Sequence, residues 1–246
     1  MKSSPTHARH ALCIAALSWM FCATSHADFV GVNLTFDSLP SAQGWTYNSQ
    51  NSPLSESQAF SVDGTVLRMN TMGQGFPSQG DNYYGHPVSA FPPGADWELF
   101  LRARIPQLEC VYHNPSINPY GFGVIVQLDG LRVDLALASI VKLGFNDPGM
   151  YISLDTSLWH DYRFVANRTQ ETYKFLIDNN IVASGPLSLS VGLPDGIYLG
   201  DLTGGENAVA EVASFSMVQT VPEPSKAWLL SLVFILFYRG RTAFRK

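Results

Sequence analysis

Trp159-His-Asp-Tyr-Arg-Phe-Val165, a polar stretch Asn167-Arg-Thr-Gln-Glu171, then Tyr173-Lys-Phe-Leu-Ile177 running into Asp178-Asn-Asn180 is the part of the chain from which the fold reads. Alternation with period two marks a half-buried strand, and the segments are bounded by residues that tolerate left-handed φ. Ile181-Val-Ala183 follows the second turn. The same pattern extends outward. In Trp97–Ile105 one face carries Trp97, Leu99, Leu101, Ala103 and Ile105, and the other carries Glu98, Arg102 and Arg104. Gly123–Leu128 and Leu131–Leu137 flank Asp129-Gly130, a strong hairpin signal. Nearer the C-terminus Val209, Glu211, Ala213, Phe215 and Met217 alternate against Ala210, Val212, Ser214 and Ser216. No part of the body shows a long 3.6-residue period. Short strands with Gly and Asn turns predict an all-β, two-sheet antiparallel sandwich or a barrel, spanning residues 28–220 as one domain.

Both ends differ in kind from this body. Lys2 and Arg9 precede a largely apolar run from Ala11 to Cys22, and Ser25 and Ala27 hold the small-residue positions of a cleavage site. The expectation is a signal peptide over 1–27, forming a signal helix, with signal peptidase cutting between Ala27 and Asp28. Such a run is too short for a hydrocarbon core that needs about 20 apolar residues. At the other end Pro222-Glu-Pro224 fixes two φ angles and opposes helix and strand, so it reads as extended and accessible to a protease. Residues 227–238 form a short apolar helix in this reading, and Arg239, Arg241, Arg245 and Lys246 follow as a cytoplasmic stop.

Setting the ends aside changes the electrostatics. All 20 acids lie within 28–224, against eight cations there, so this stretch carries −12 while the whole chain carries −5. That charge argues against nucleic acid or anionic lipid as partner. Cys13 and Cys22 leave with the signal peptide, so Cys110 is the one thiol of the body and no intramolecular disulfide is available. Cysteine is among the most buried residue types, which favours a buried Cys110.

Pro222-Glu-Pro224, the apolar segment and the Arg-rich terminus together resemble the PEP-CTERM sorting signal of exopolysaccharide-producing Gram-negative bacteria, over residues 221–246. The resemblance implies recognition at Pro222, Glu223 and Pro224 by an exosortase, transient anchoring in the inner membrane through 227–238, and delivery to the cell surface or extracellular matrix. The order Trp159-His-x-Tyr-Arg, a polar turn, then Tyr173 through Asp178-Asn-Asn180 resembles the laminin-G and concanavalin A-like jelly rolls, with Asn179 where that family has a turn glycine. Leu34-Thr-Phe-Asp37 and Gly44-Trp45 look like the first strand of such domains. Two curved antiparallel sheets are implied, and little about ligand.

Jelly rolls of this type host glycanases with a Glu-x-Asp-x-x-Glu run on one strand, and this chain has none. Asp96-Trp-Glu98 is continued by Arg102 and Arg104, which reads as a solvated strand face with cross-strand ion pairs. His86, His113 and His160 are far apart in sequence, and no nucleophile, phosphate-loop or zinc motif is present. No cofactor is expected; calcium stays open because scattered carboxylates suffice for it, with Asp195, Asp201 and Glu206 as candidate ligands. Two loops mix glycine, amide and aromatic groups suited to sugars: Gly73–Pro87, with Asn82, Tyr83, Tyr84 and His86, and Tyr112–Tyr120. The sequence thus describes an exported, non-enzymatic surface or matrix protein with exopolysaccharide as a candidate partner. The alternatives are a glycan-active jelly-roll enzyme and a structural envelope or biofilm protein held by an ordinary anchor. Glu223→Ala is expected to leave full-length protein in the membrane fraction of exporting cells; unchanged processing on an immunoblot rejects the sorting assignment.

Overall fold

The protein, seen here as a computed structural model, is described over residues 31–74, 81–88, 91–110, 121–144, 149–189, 193–202 and 206–219. Residues 1–27, read above as a signal peptide cut between Ala27 and Asp28, the Tyr112–Tyr120 segment with His113, and residues 221–246, read as a sorting signal with Pro222, Glu223 and Pro224, lie outside them. No helix among the described residues is long and apolar enough to cross a membrane.

The predicted two-sheet sandwich is what forms. Sheet A runs, in spatial order, β13 (Asn180–Pro186), β12 (Thr172–Ile177), β11 (His160–Asn167), β6 (Trp97–Cys110), β16 (Glu206–Gln219), β4 (Leu67–Asn70) and β3 (Phe60–Val62), with β1 (Gly31–Asn33) also on β16. Sheet B runs β10 (Met150–Ile152), β9 (Val141–Leu143), β8 (Leu131–Leu137), β7 (Phe122–Leu128), β15 (Gly196–Asp201), β5 (Asp81–His86) and β2 (Thr46–Gln50), with β14 (Ser188–Leu189) on β8. Their inner faces form one apolar core that includes Trp45, Leu99, Leu101, Phe122, Leu135, Tyr162, Phe164 and Phe215.

The stretch that announced the fold forms β11 and β12. Tyr162 pairs with Ile177 and Phe164 with Phe175, and these side chains are buried, with the two Phe rings 4.5 Å apart. Asp178 and Asn179 take φ of 49° and 65° to join β12 to β13, a two-residue turn of the kind that matches strand twist. Asparagine tolerates that conformation, so Asn179 serves where glycine is usual. Asp129 and Gly130, at φ 49° and 72°, close the β7–β8 hairpin in the same way.

Alternation fails at β16, and the reason is local. Between Val212 and Ser214 the chain advances two residues while β6 advances one, from Ala103 to Arg102. Ala213 is therefore a bulge residue, and the inward face switches parity. Ala210, Val212, Phe215 and Met217 point into the core, so the face predicted as Val209, Glu211, Ala213, Phe215 and Met217 is not one face. A second irregularity sits opposite Val209–Glu211 and lies on the β6 side, where Pro106 is accommodated. Two further expectations change. The first strand is Gly31–Asn33, just ahead of Leu34–Asp37, although Leu34 N–H still bonds to the Phe215 carbonyl at 3.1 Å. The Gly73–Pro87 region is not a loop throughout, because Asp81–His86 is strand β5 in the interior of sheet B.

On the outer face of sheet A, Glu98 is held by Arg163 (2.8 Å from Nη2), Asp161 by Arg102 (2.8 Å) and Glu211 by Arg104 (2.7 Å). This is the cross-strand ion pairing expected for the Glu98 face, and Asp96 accepts the Arg168 N–H at 2.6 Å. His160 decorates its strand, with Nδ1 2.7 Å from the Asp178 carboxylate and Nε2 3.1 Å from the Asp155 carbonyl. Burial pushes the Asp178 carboxyl up, and the Asp161 N–H and His160 more than offset it, leaving its pKa below the ordinary value. A depressed folded pKa contributes stability that is present above the unfolded carboxylate value near 3.9 and lost as pH falls through the folded value. Asp178→Asn is therefore expected to lower stability near neutral pH and to flatten the acid limb of urea midpoints measured from pH 7 to pH 3; a parallel acid limb contradicts this.

Candidate functional site

Strand pleating divides β5 into two faces. Asn82 and Tyr84 point inward and are fully buried. The Asn82 side-chain oxygen accepts the Tyr47 hydroxyl at 2.9 Å, and the Tyr84 hydroxyl donates to Glu56 at 2.8 Å. Glu56 opens a single helical turn, α1 (Glu56–Ala59), fixed by a Ser55–Gln58 capping box. Burial first, and Glu56 second, push the Tyr84 hydroxyl pKa far above its ordinary value. His86 lies half-buried against Trp45, ring centroids 5.0 Å apart. Of the four residues singled out for ligand binding, Asn82, Tyr84 and His86 thus serve the core face, and Tyr83 alone reaches the outer face.

What Tyr83 meets there was not legible in sequence. Tyr198, from β15, stands edge-on to it with ring centroids 6.1 Å apart. Both are half-buried. Glycines make room for them. A Cβ at Gly85, the residue paired with Tyr198, would lie 3.6 Å from the Tyr198 ring, and one at Gly196 would lie 3.3 Å from it. The Tyr198 ring thus spreads over backbone instead of standing among side chains. Its hydroxyl donates to the Pro194 carbonyl at 2.8 Å, which fixes the ring. Burial raises both hydroxyl pKa values, with Asp81 adding to the effect at Tyr83 and Tyr83 adding to it at Tyr198, so both stay protonated donors at neutral pH. The neighbouring edge strand β2 presents Thr46, Asn48 and Gln50 opposite Gly85, Tyr83 and Asp81. The result is a partly exposed shelf of two aromatic rings bordered by hydroxyl and amide groups, over the width of three strands.

Asp81 and Asp134 do not form a pair. Asp81 lies on the outer face of β5, its pKa raised by burial. Asp134 lies on the outer face of β8, ion-paired with Arg132. β7 and β15 intervene, so strand spacing alone separates the two acids by about 14 Å, beyond the roughly 5–9.5 Å of glycosidase pairs. Among the described residues no three of His, Cys, Asp and Glu gather closely enough to hold a metal ion. Of the calcium candidates, Asp195 accepts the Asp129 N–H at 3.0 Å, while Asp201 and Glu206 are buried. A separate cleft of about 280 Å³ opens where β14 and β9 share one edge of β8, with Arg132, Asp134, Tyr173 and Gly185 in its walls and Phe164 at its floor.

No protein-family model and no curated protein matches the chain. Solved structures share its architecture. A carbohydrate esterase from the Shiga toxin-encoding bacteriophage phi24B is 11% identical with a TM-score of 0.53, covering 77% of this chain and 100% of its own. A β-1,3-1,4-glucanase (lichenase) from a mouse hindgut metagenome is 14% identical with a TM-score of 0.52, covering 78% and 100%. The Bacillus licheniformis β-glucanase is 9% identical with a TM-score of 0.51, covering 78% and 98%. The class the fold defines is thus a two-sheet antiparallel jelly-roll sandwich, the architecture these solved structures share. At these identities the likeness is one of fold.

Gly200 tests the close approach behind the shelf. Its φ is 139°, and a Cβ there would lie 2.5 Å from the Asn82 carbonyl oxygen and 2.8 Å from Tyr83 Cα. Gly200→Ala is expected to destabilise by about 2 kcal/mol or more in urea unfolding, since backbone cannot yield as a flexible side chain can; a neutral result contradicts the packing.

Proposed function

We propose that the protein is an exported, non-catalytic surface or matrix protein that binds polysaccharide on the β2–β5–β15 face of sheet B. The observation that carries this is the Tyr83–Tyr198 shelf, where aromatic rings seated over glycines lie beside side-chain amides. Aromatic faces stack on the C–H faces of sugars, and amides and hydroxyls satisfy ring hydroxyls, which is the mix that such ligands require. The −12 charge of residues 28–224 favours neutral glycans over polyanionic ones at this face, with Asp81 beside it.

The export route rests on the sequence ends. Signal peptidase releases the chain at Ala27–Asp28, the 227–238 segment holds it in the inner membrane, and an exosortase acting at Pro222-Glu-Pro224 frees it to the surface or matrix. A glycan-cleaving activity is the second reading, favoured by the fold shared with glucanases and an esterase. Against it stand the wide separation of Asp81 from Asp134 and the engagement of Glu98, Asp161 and Glu211 with arginines. A purely structural envelope role is the third.

Incubation of the purified protein with neutral polysaccharides separates these readings. Binding is expected in pull-down, with no reducing-sugar release. Tyr83→Ala and Tyr198→Ala should each weaken it roughly tenfold, as expected for about 1–1.5 kcal/mol per ring, with little change in thermal midpoint. Release of reducing sugar establishes the enzyme; no binding across neutral and acidic glycans leaves the structural role.

A further inference from the structure

Eight cations lie within residues 28–224, and the fold gathers five of them on one surface. Arg68 on β4, Arg102 and Arg104 on β6, Arg163 on β11 and Lys174 on β12 each alternate with core residues, so all five side chains leave the outer face of sheet A. With β16 between β4 and β6, they cover five adjacent strands, about 19 Å across. Three acids share the face, namely Glu98, Asp161 and Glu211, and Asp178 borders it at the β12–β13 turn, held by His160. Five cations against three acids give this face +2, while the remainder of residues 28–224 holds 17 acids against three cations. Depth adds to the asymmetry. The four arginine side chains are 36–52% exposed and the three carboxylates 15–31%, so water meets the guanidinium groups first. Lys174 is exposed and makes no ion pair among the described residues. Trp159 stands half-buried beside the β6 arginines, its ring centre 4.8 Å from the Arg104 guanidinium carbon and 5.9 Å from that of Arg102. Cation–π attraction holds these groups against the indole, and Leu158 next to it is exposed.

We propose that the outer face of sheet A binds a carboxylate-bearing glycan, a polyuronate, through Arg102, Arg104 and Trp159, with Arg68, Arg163 and Lys174 extending the contact. A guanidinium carries five N–H donors in a planar fork that takes a carboxylate through paired hydrogen bonds. An indole takes the C–H face of a sugar ring. A uronate presents both groups in one unit, which selects it over an acidic peptide and over a neutral sugar. The −12 of the whole body is no barrier at this face. Sheet B, with Asp81 and Asp134, packs about 10 Å behind it, and at about 0.15 M salt charges act over roughly 8 Å. This face and the Tyr83–Tyr198 shelf lie on different sheets, so either can bind without the other.

Binding of the purified protein, as the cell produces it, to immobilised polygalacturonate tests this, with fully methyl-esterified polygalacturonate and poly-glutamate alongside. Polygalacturonate is expected to bind at about 0.15 M NaCl and to lose more than about tenfold in affinity by about 1 M, where the screening length is about 3 Å. The neutral ester and poly-glutamate are expected to bind at least about tenfold more weakly. Arg102→Gln, Arg104→Gln and Trp159→Ala are each expected to weaken binding about tenfold. Lys174→Gln, which breaks no ion pair among the described residues, is expected to weaken it about threefold with an unchanged thermal midpoint, and Tyr83→Ala to leave it unchanged. No binding, equal binding of the neutral ester, salt-insensitive binding, full binding by the sheet A variants, or loss of binding in Tyr83→Ala overturns the proposal. Poly-glutamate bound as tightly as polygalacturonate assigns the face to an acidic protein surface and overturns it as well.

Discussion

The pairing of β6 with β16 is the constraint on which the rest of the molecule depends. Two 14-residue strands run antiparallel from Trp97 opposite Gln219 to Cys110 opposite Glu206, in the middle of sheet A. Their inner side chains, Leu99, Leu101, Ala103, Ala210, Val212, Phe215 and Met217, are almost wholly withdrawn from water. Burying the Leu, Val, Phe and Met side chains among them contributes on the order of 1.5–3 kcal/mol each before entropy is subtracted. With one cysteine in residues 28–220, that apolar packing takes the place of disulfides. The bulges at Ala213 and near Pro106 are what allow both long strands to keep apolar groups inward along their length.

How much of this could be read beforehand depends on how regular each strand is. β11 alternates strictly, β12, β7 and β8 keep an apolar residue at every inward position, and the two hairpins turn on residues suited to left-handed φ, so all four were legible. β16 was legible as a strand but not as a face, because a one-residue bulge inverts parity and leaves no trace in composition. The short strands β3, β9, β10 and β14 exist through their neighbours and carry almost no periodic signal of their own. The candidate site was the least legible part. Tyr83 could be picked out for its chemistry, yet Asn82 and Tyr84 next to it were indistinguishable until strand pleating assigned them to the core. Tyr198 lies more than a hundred residues away in sequence and joins Tyr83 only because β15 and β5 are adjacent. Gly85 and Gly196 give the Tyr198 ring its clearance, and Gly200 lets β15 approach the β5 backbone, which no pattern in the sequence signals.

The two outer faces are chemically unlike. Sheet A spends its outward acids on arginines, in cross-strand pairs that are partly solvated and contribute modestly to stability. Sheet B, on its β2–β5–β15 side, presents rings and amides instead. The proposed role, holding a glycan without cleaving it, rests on the Tyr83–Tyr198 rings beside amides and on Asp81 and Asp134 lying about 14 Å apart by strand spacing, within a fold shared with glucanases and an esterase. Aromatic clearance over glycine is the feature that separates the two faces.

Hydrogen–deuterium exchange of the protein with and without a bound neutral polysaccharide measures that claim most directly. The account predicts added protection confined to Thr46–Gln50, Asp81–His86 and Gly196–Asp201, with the outer strands of sheet A unchanged. Protection centred on β6 and β11, or on the cleft beside β8 with none at Tyr83 and Tyr198, contradicts it.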